Sequence, residues 1–183
     1  VDIQEIAIQI SKLRFFISLL IEQDVDDSKE NRDIRALPNL ETKFVAANTL
    51  IGLDRPAQGQ LMGKQAEKLE QEVFGVREKI FYINSRQEKY NLRQQLSKIR
   101  QSLREELKKS GFSTSIAEKI TQWDPFDQNT HAEWFDPEWM FGIKTGFDIV
   151  IGNPPYIQLQ KAFDDKRKYA DLYKNQNFKT FDR

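Results

Sequence analysis

Apolar residues recur along the chain with three rhythms, and each predicts a different element. Ile6, Ile10, Leu13, Ile17 and Leu20 follow 4-3-4-3 spacing, which sets them on one face of an amphipathic helix from about Gln4 to Glu22. Val1-Asp2-Ile3, just before it, reads as the end of a strand. A charged loop from Asp24 to Arg35 and a turn at Leu37-Pro38-Asn39-Leu40 lead to a short buried strand, Lys43 to Ala47, that ends at Asn48. From about Gly63 the rhythm becomes heptad. Leu69, Val73, Val76, Ile80 and Ile83 hold it, and so do Leu92, Leu96, Ile99, Leu103 and Leu107. Two long helices paired as an antiparallel, coiled-coil-like hairpin are expected, with the bend at Asn84-Ser85 or Lys89-Tyr90-Asn91. Gly111 ends the second helix, and Ser113-Thr114-Ser115 caps a short one through Ile120. The third rhythm is a dense run, Phe147-Asp148-Ile149-Val150-Ile151, which predicts a central parallel strand.

These elements predict an α/β chain, a partial doubly wound, Rossmann-like fold carrying a long helical hairpin. The expected parts are 1–57 (α/β), 58–122 (hairpin) and 123–183 (α/β again). A start inside a strand-to-helix turn leads us to expect a piece of a larger polypeptide. With 183 residues there is room for one real core, and thirteen Phe, five Tyr and three Trp argue against a disordered chain. The absence of cysteine excludes disulfides and thiolate metal sites and suits the cytoplasm. Phe15 to Ile21, the longest apolar stretch, is far too short to span a membrane. Net charge is zero, yet residues 58–110 hold twelve Lys/Arg against seven Glu. Most of that excess lies on the second hairpin helix, where Arg86, Lys89, Arg93, Lys98, Arg100, Arg104, Lys108 and Lys109 face three Glu.

The stretch richest in chemistry follows the third rhythm: Gly152-Asn153-Pro154-Pro155-Tyr156. In open α/β sheets ligands bind beyond the carboxyl ends of the strands. Two consecutive prolines fix φ twice and force Asn153 into extended backbone. The Asn153 amide and the Pro154 carbonyl then form two preorganised acceptors, suited to gripping an –NH2 group through both hydrogens. Tyr156 adds a flat face for a planar group. The plain alternative is a tight turn followed by an aromatic residue.

Phe147 to Ile157 resembles motif IV of amino-group methyltransferases, Asp/Asn/Ser-Pro-Pro-Tyr/Phe/Trp. The resemblance implies a doubly wound sheet that binds S-adenosylmethionine and, in the DNA members, double-stranded DNA with the target adenine flipped into a pocket. By the same resemblance Asn153, Pro154, Pro155 and Tyr156 form the catalytic loop. Asn153 and the Pro154 carbonyl accept from the adenine amine, and Tyr156 stacks on the base. Asp2 matches the acidic residue that takes the cofactor's ribose hydroxyls, and Asn48, in Ala46-Ala47-Asn48-Thr49-Leu50, the polar residue at its adenine. Taken alone, Asp2 is a helix cap and Asn48 a turn residue.

The distance of 105 residues from Asn48 to Asn153 separates this chain from methyltransferases with close third and fourth strands. That spacing, the opening Val-Asp-Ile-Gln and the Leu-Pro-Asn-Leu before the third strand resemble type IIG restriction–modification enzymes, which are adenine-specific. In those enzymes one polypeptide joins endonuclease, methyltransferase and target recognition. The glycine-rich first motif of that family does not occur here, so the chain by itself is expected to be inactive and to partner the rest of its polypeptide. Two other functions remain open: a protein glutamine methyltransferase, and a non-catalytic DNA-binding or interaction module built on the hairpin. The hairpin itself is either a solvated coiled-coil spacer or a basic face along phosphates. His131, the sole histidine, offers no metal site. Trp123, Phe126, Trp134, Phe135, Trp139 and Phe141 are expected to pack rather than to stack on bases.

Overall fold

The computed structural model describes residues 1–53, 63–127 and 129–152. Helix α1 (Glu5–Ile21) opens the chain, followed by short 3-10 turns at Glu30–Asp33 and Leu40–Thr42. Next come α2 (Lys64–Tyr82), α3 (Arg86–Lys109), α4 (Thr114–Gln122) and α5 (Pro137–Phe141). Local chemistry accounts for the boundaries. Ser85 Oγ accepts from Glu88 N at 3.3 Å to start α3, and Ser113 Oγ accepts from Ile116 N at 3.2 Å to start α4. Gly111, at φ +88°, turns the chain after α3, and the Phe112 N–H returns to the Leu107 carbonyl at 3.1 Å. Asp136 Oδ1 caps α5 through Glu138 N and Trp139 N, Pro137 fills the first helical position, and Gly142 at φ +75° stops it.

The two long helices lie antiparallel. A three-residue bend joins them at 83–85, and at the other end Gly63 N donates to Ser110 Oγ at 3.1 Å. Their heptad positions are the centre of the molecule rather than the seam of a spacer standing in solvent. Leu69, Val73, Val76, Ile80, Leu96, Ile99, Leu103 and Leu107 are buried with Val45, Ala47, Ala117, Ile120, Ala132, Trp134, Trp139 and Met140 in one cluster. That cluster draws on both flanks of the hairpin as well as the hairpin. Trp123 and Trp134 meet edge to face at 6.3 Å, so the aromatic segment packs as its composition suggested.

The expected doubly wound α/β architecture is absent among the described residues. Regular structure there is helical, and extended backbone pairs only at two isolated parallel bridges, Asp2 with Ala46 and Ala47 with Ala132. The predicted central strand at Phe147–Ile151 is not formed, and Ile149, Val150 and Ile151 are 77%, 81% and 92% exposed. A β-branched run becomes a strand only where neighbours complete its ladder and cover its faces. No described segment lies alongside this one to do either. Val1–Ile3 reduces to one bridged residue, Asp2, and Lys43–Ala47 to two, Ala46 and Ala47. Helix α1 forms where expected but turns a different face inward. Ile8 is buried and Phe15 meets Phe44 edge to face at 5.8 Å, whereas Ile6, Ile10, Leu13, Ile17 and Leu20 stay exposed. Among the described residues no helix is long and apolar enough to cross a membrane.

Candidate functional site

Three chain segments run side by side in parallel at the two bridges, and two of the sequence-predicted residues sit on them. Asp2 N donates to the Val45 carbonyl at 3.3 Å and Ala47 N donates to the Asp2 carbonyl at 2.8 Å. On the far side Ala132 N donates to Ala46 O at 2.9 Å, and Asn48 N to Ala132 O at 2.9 Å. Asp2 and Asn48, 46 positions apart in sequence, are thus brought to the ends of neighbouring extended segments.

Each of the two side chains has one polar atom committed locally. Asp2 Oδ1 accepts from Gln4 N at 2.8 Å, an Asx turn leading into α1. Asn48 Oδ1 accepts from Leu50 N at 3.1 Å, a second Asx turn. The turn role is therefore present at both, but Asp2 does not cap α1, whose N-cap is Gln4 without a side-chain hydrogen bond. The two turns leave Asp2 Oδ2 as a free acceptor and Asn48 Nδ2 as a free donor, on residues that are exposed and half-buried respectively. An acceptor for hydroxyls next to an amide for a heterocycle is a donor set that fits an adenosine moiety. Asn153, Pro154, Pro155 and Tyr156 lie outside the described residues. The chain leading to them is anchored at Phe147, whose ring stacks on Phe135 at 6.4 Å and meets Phe141 edge to face at 6.0 Å.

Sequence inspection missed a polar group beside this site. His131 Nδ1 lies 2.7 Å from Glu5 Oε1, and Nε2 lies 3.2 Å from Glu133 Oε1. The imidazole thereby ties the first turn of α1, three residues after Asp2, to the segment that carries Ala132. The hydrogen bond to Glu5 raises the His131 pKa above its ordinary value, burial opposes it, and the charge of Glu5 and the contact with Glu133 add to the rise. Hydrogen bonding from His131 in turn lowers Glu5. Nothing in the sequence marks residues 126 positions apart as partners. Among the described residues no cluster of His, Asp and Glu could hold a metal ion.

The basic side of α3 is largely occupied by partners within the chain. Lys89 Nζ reaches Glu41 Oε1 at 2.7 Å and Asn39 Oδ1 at 2.5 Å. Arg93 lies over the Phe126 ring at 4.8 Å. Arg100 Nε donates to the Thr121 carbonyl at 2.8 Å, and its guanidinium also reaches the Trp123 carbonyl, closing the end of α4. Arg104 pairs with Glu118, Lys108 with Glu105 at 3.3 Å and Lys109 with Glu106 at 2.6 Å. Of the eight cations, Arg86 and Lys98 are exposed and make no such contact among the described residues. A solvated basic stripe is therefore not the main use of this helix.

Among the described residues, parallel extended segments carry Asp2 and lead to Asn48, and Asn-Pro-Pro-Tyr follows later in the sequence. Comparison with known families gives the chain its class. The profile of the Eco57I restriction-modification methylase family matches residues 1–182, and the chain belongs to that family. No curated protein and no solved structure matches the chain.

Proposed function

We propose that this chain forms part of the methyl-transfer centre of an adenine-specific DNA methyltransferase of a type IIG restriction–modification system. The observation that carries it is Asn153-Pro154-Pro155-Tyr156 within a chain matched from residue 1 to 182 by a restriction-modification methylase family. The donor is S-adenosylmethionine, which when bound supplies an electrophilic methyl group. Asp2 Oδ2 would accept from its ribose hydroxyls, and Asn48 Nδ2 would donate to its adenine. Both atoms are left available by the Asx turns, and backbone hydrogen bonds hold their segments together.

Asn153 and the Pro154 carbonyl act on the other reactant. An exocyclic amine conjugated to its ring is a poor nucleophile, because its lone pair is delocalised. Two acceptors placed for the pyramidal amine bind it more strongly as conjugation is lost, so they favour the transition state over the ground state. Tyr156 offers a face for the flipped base, at about 1–3 kcal/mol of stacking. Residues 1–57 and 123–183 supply this centre, residues 58–122 supply the hairpin that packs it, and the remaining partners are duplex DNA and the rest of the polypeptide.

The product of methyl transfer tests the reading. DNA methylated by the polypeptide that carries this chain, digested to nucleosides, should contain N6-methyladenine. N4-methylcytosine as the sole product would exclude adenine as the target. Methylation of a protein glutamine without any of DNA would exclude the reading as a whole.

A further inference from the structure

Arg77 is buried at the centre of α2, 7% exposed, without a carboxylate of its own. Its Nη1 donates to the Trp139 carbonyl at 3.0 Å, and its guanidinium lies 4.9 Å from the Trp123 ring and 5.6 Å from the Phe74 ring. Its Nε has no hydrogen-bond partner. The one carboxylate that acts on it, Asp124, sits 3.7 Å from Arg100. A buried and a half-buried guanidinium therefore share Asp124. Burial, with Arg100 next in effect, pulls the Arg77 pKa down to about 9, so the side chain remains charged at neutral pH. An unpaired buried cation is costly, and a protein keeps one where something offsets it.

Arg77 also lines a cavity of about 310 Å³ between α2, the turn at Leu40–Thr42 and the end of α5. Phe81 and Phe141 give it flat apolar walls, and the exposed Lys43 lines it too, with its ammonium 5.4 Å from the Phe81 ring. Glu78, exposed on the same lining, sets a limit on charge. One negative charge beside Arg77 and Lys43 is stabilised, whereas a second is repelled by Glu78.

We propose that this cavity binds a planar aromatic monoanion, a small aromatic carboxylate, with its carboxylate toward Arg77 and its ring between Phe81 and Phe141. A guanidinium attracts a carboxylate through charge-assisted hydrogen bonding, and aromatic walls suit a flat body. The site lies beside α2 and shares no lining residue with Asp2 or Asn48.

Titration calorimetry on the 183-residue chain tests the proposal with 2-naphthoate, neutral 2-naphthamide, inorganic phosphate and a DNA dinucleotide. Naphthoate should bind with a Kd of roughly 0.1–1 mM, as expected for a ligand of its size, and the other three at least tenfold more weakly. Arg77→Met should abolish naphthoate binding. Because that change touches the core, Glu78→Gln on the exposed rim gives an independent reading. Removing its repulsion should tighten naphthoate about two- to fivefold and leave naphthamide unchanged. Naphthamide binding as tightly as naphthoate would show an apolar cleft only and overturn the proposal. So would tighter binding of phosphate or dinucleotide, or no response to Glu78→Gln.

Discussion

A protonated imidazole between two carboxylates gains from its neighbours what a neutral one does not. His131, about one-third exposed between Glu5 and Glu133, is in that position. Its raised pKa means that the link is fully formed below the ordinary histidine value of 6.5 and is lost as pH rises through the raised one. The lowered pKa of Glu5 sets the other limit: its contribution is present above 4.5 and is lost as pH falls through the lowered value. The contact between the first turn of α1 and the Ala132 segment should therefore be firmest between these limits. NMR titration of the single imidazole should give a midpoint above 6.5, moving back toward 6.5 in Glu5→Gln. An unchanged midpoint in that variant would show that the Glu5 contact does not persist in solution. None of this could be read in the sequence, since a lone histidine 126 positions from its partner carries no local pattern. Asp2 and Asn48 were singled out by position, and the structure places Asp2 on a bridged segment and Asn48 directly after one. Their Asx turns were legible too, because Asp and Asn hydrogen-bond to backbone two residues on wherever the chain turns.

Helix α2 ends without glycine, and its last carbonyls are satisfied from a distance. Asn39 Nδ2 donates to the Ile80 and Ile83 carbonyls, both at 2.7 Å, while Asn39 N donates to the Phe81 carbonyl at 2.9 Å. Its Oδ1 accepts from Lys89 in the first turn of α3. One amide thus closes α2, fixes the bend and ties both to the turn before Leu40. Asn39→Ala should lower unfolding stability by about 1–3 kcal/mol, the cost of leaving part-buried polar groups unpaired, measured by denaturant titration. A change within error would mean that water replaces the amide at no cost. The two helices, their bend and the cap at Ser113 were legible, because heptad spacing and capping chemistry are local, whereas Ser85 was read only as part of a bend. The bend fell at the first of the two predicted positions. The Asn39 clasp was not legible, since the sequence marks Leu37–Leu40 only as a turn.

The core is built around the hairpin. Ile80 and Leu107 are wholly buried, whereas Leu13, on the face of α1 that sequence spacing would place inward, is 59% exposed. Ile80→Ala and Leu107→Ala should each cost roughly 2–5 kcal/mol, and Leu13→Ala less than about 0.5 kcal/mol, in the same denaturant assay. A large loss at Leu13 would show that the outward face of α1 is covered in solution. Periodicity told helix from coil correctly along most of the chain but could not say which face finds a partner. It failed outright at Phe147–Ile151, where β-branched composition suggested a strand and neither ladder nor cover is present. The functional class, by contrast, was carried by four residues, Asn153 to Tyr156, and by their order after Asp2 and Asn48.

Methyl transfer under single-turnover conditions, in the polypeptide that carries this chain, bears most directly on the proposed chemistry. Asn153→Ala removes one of two acceptors for the target amine and keeps both prolines. The rate should fall by about 10²–10³, as when one preorganised transition-state hydrogen bond is lost, while S-adenosylmethionine affinity stays at its parental value. Methyl transfer at close to the parental rate in Asn153→Ala would contradict the account, because Asn-Pro-Pro-Tyr would then be only a turn.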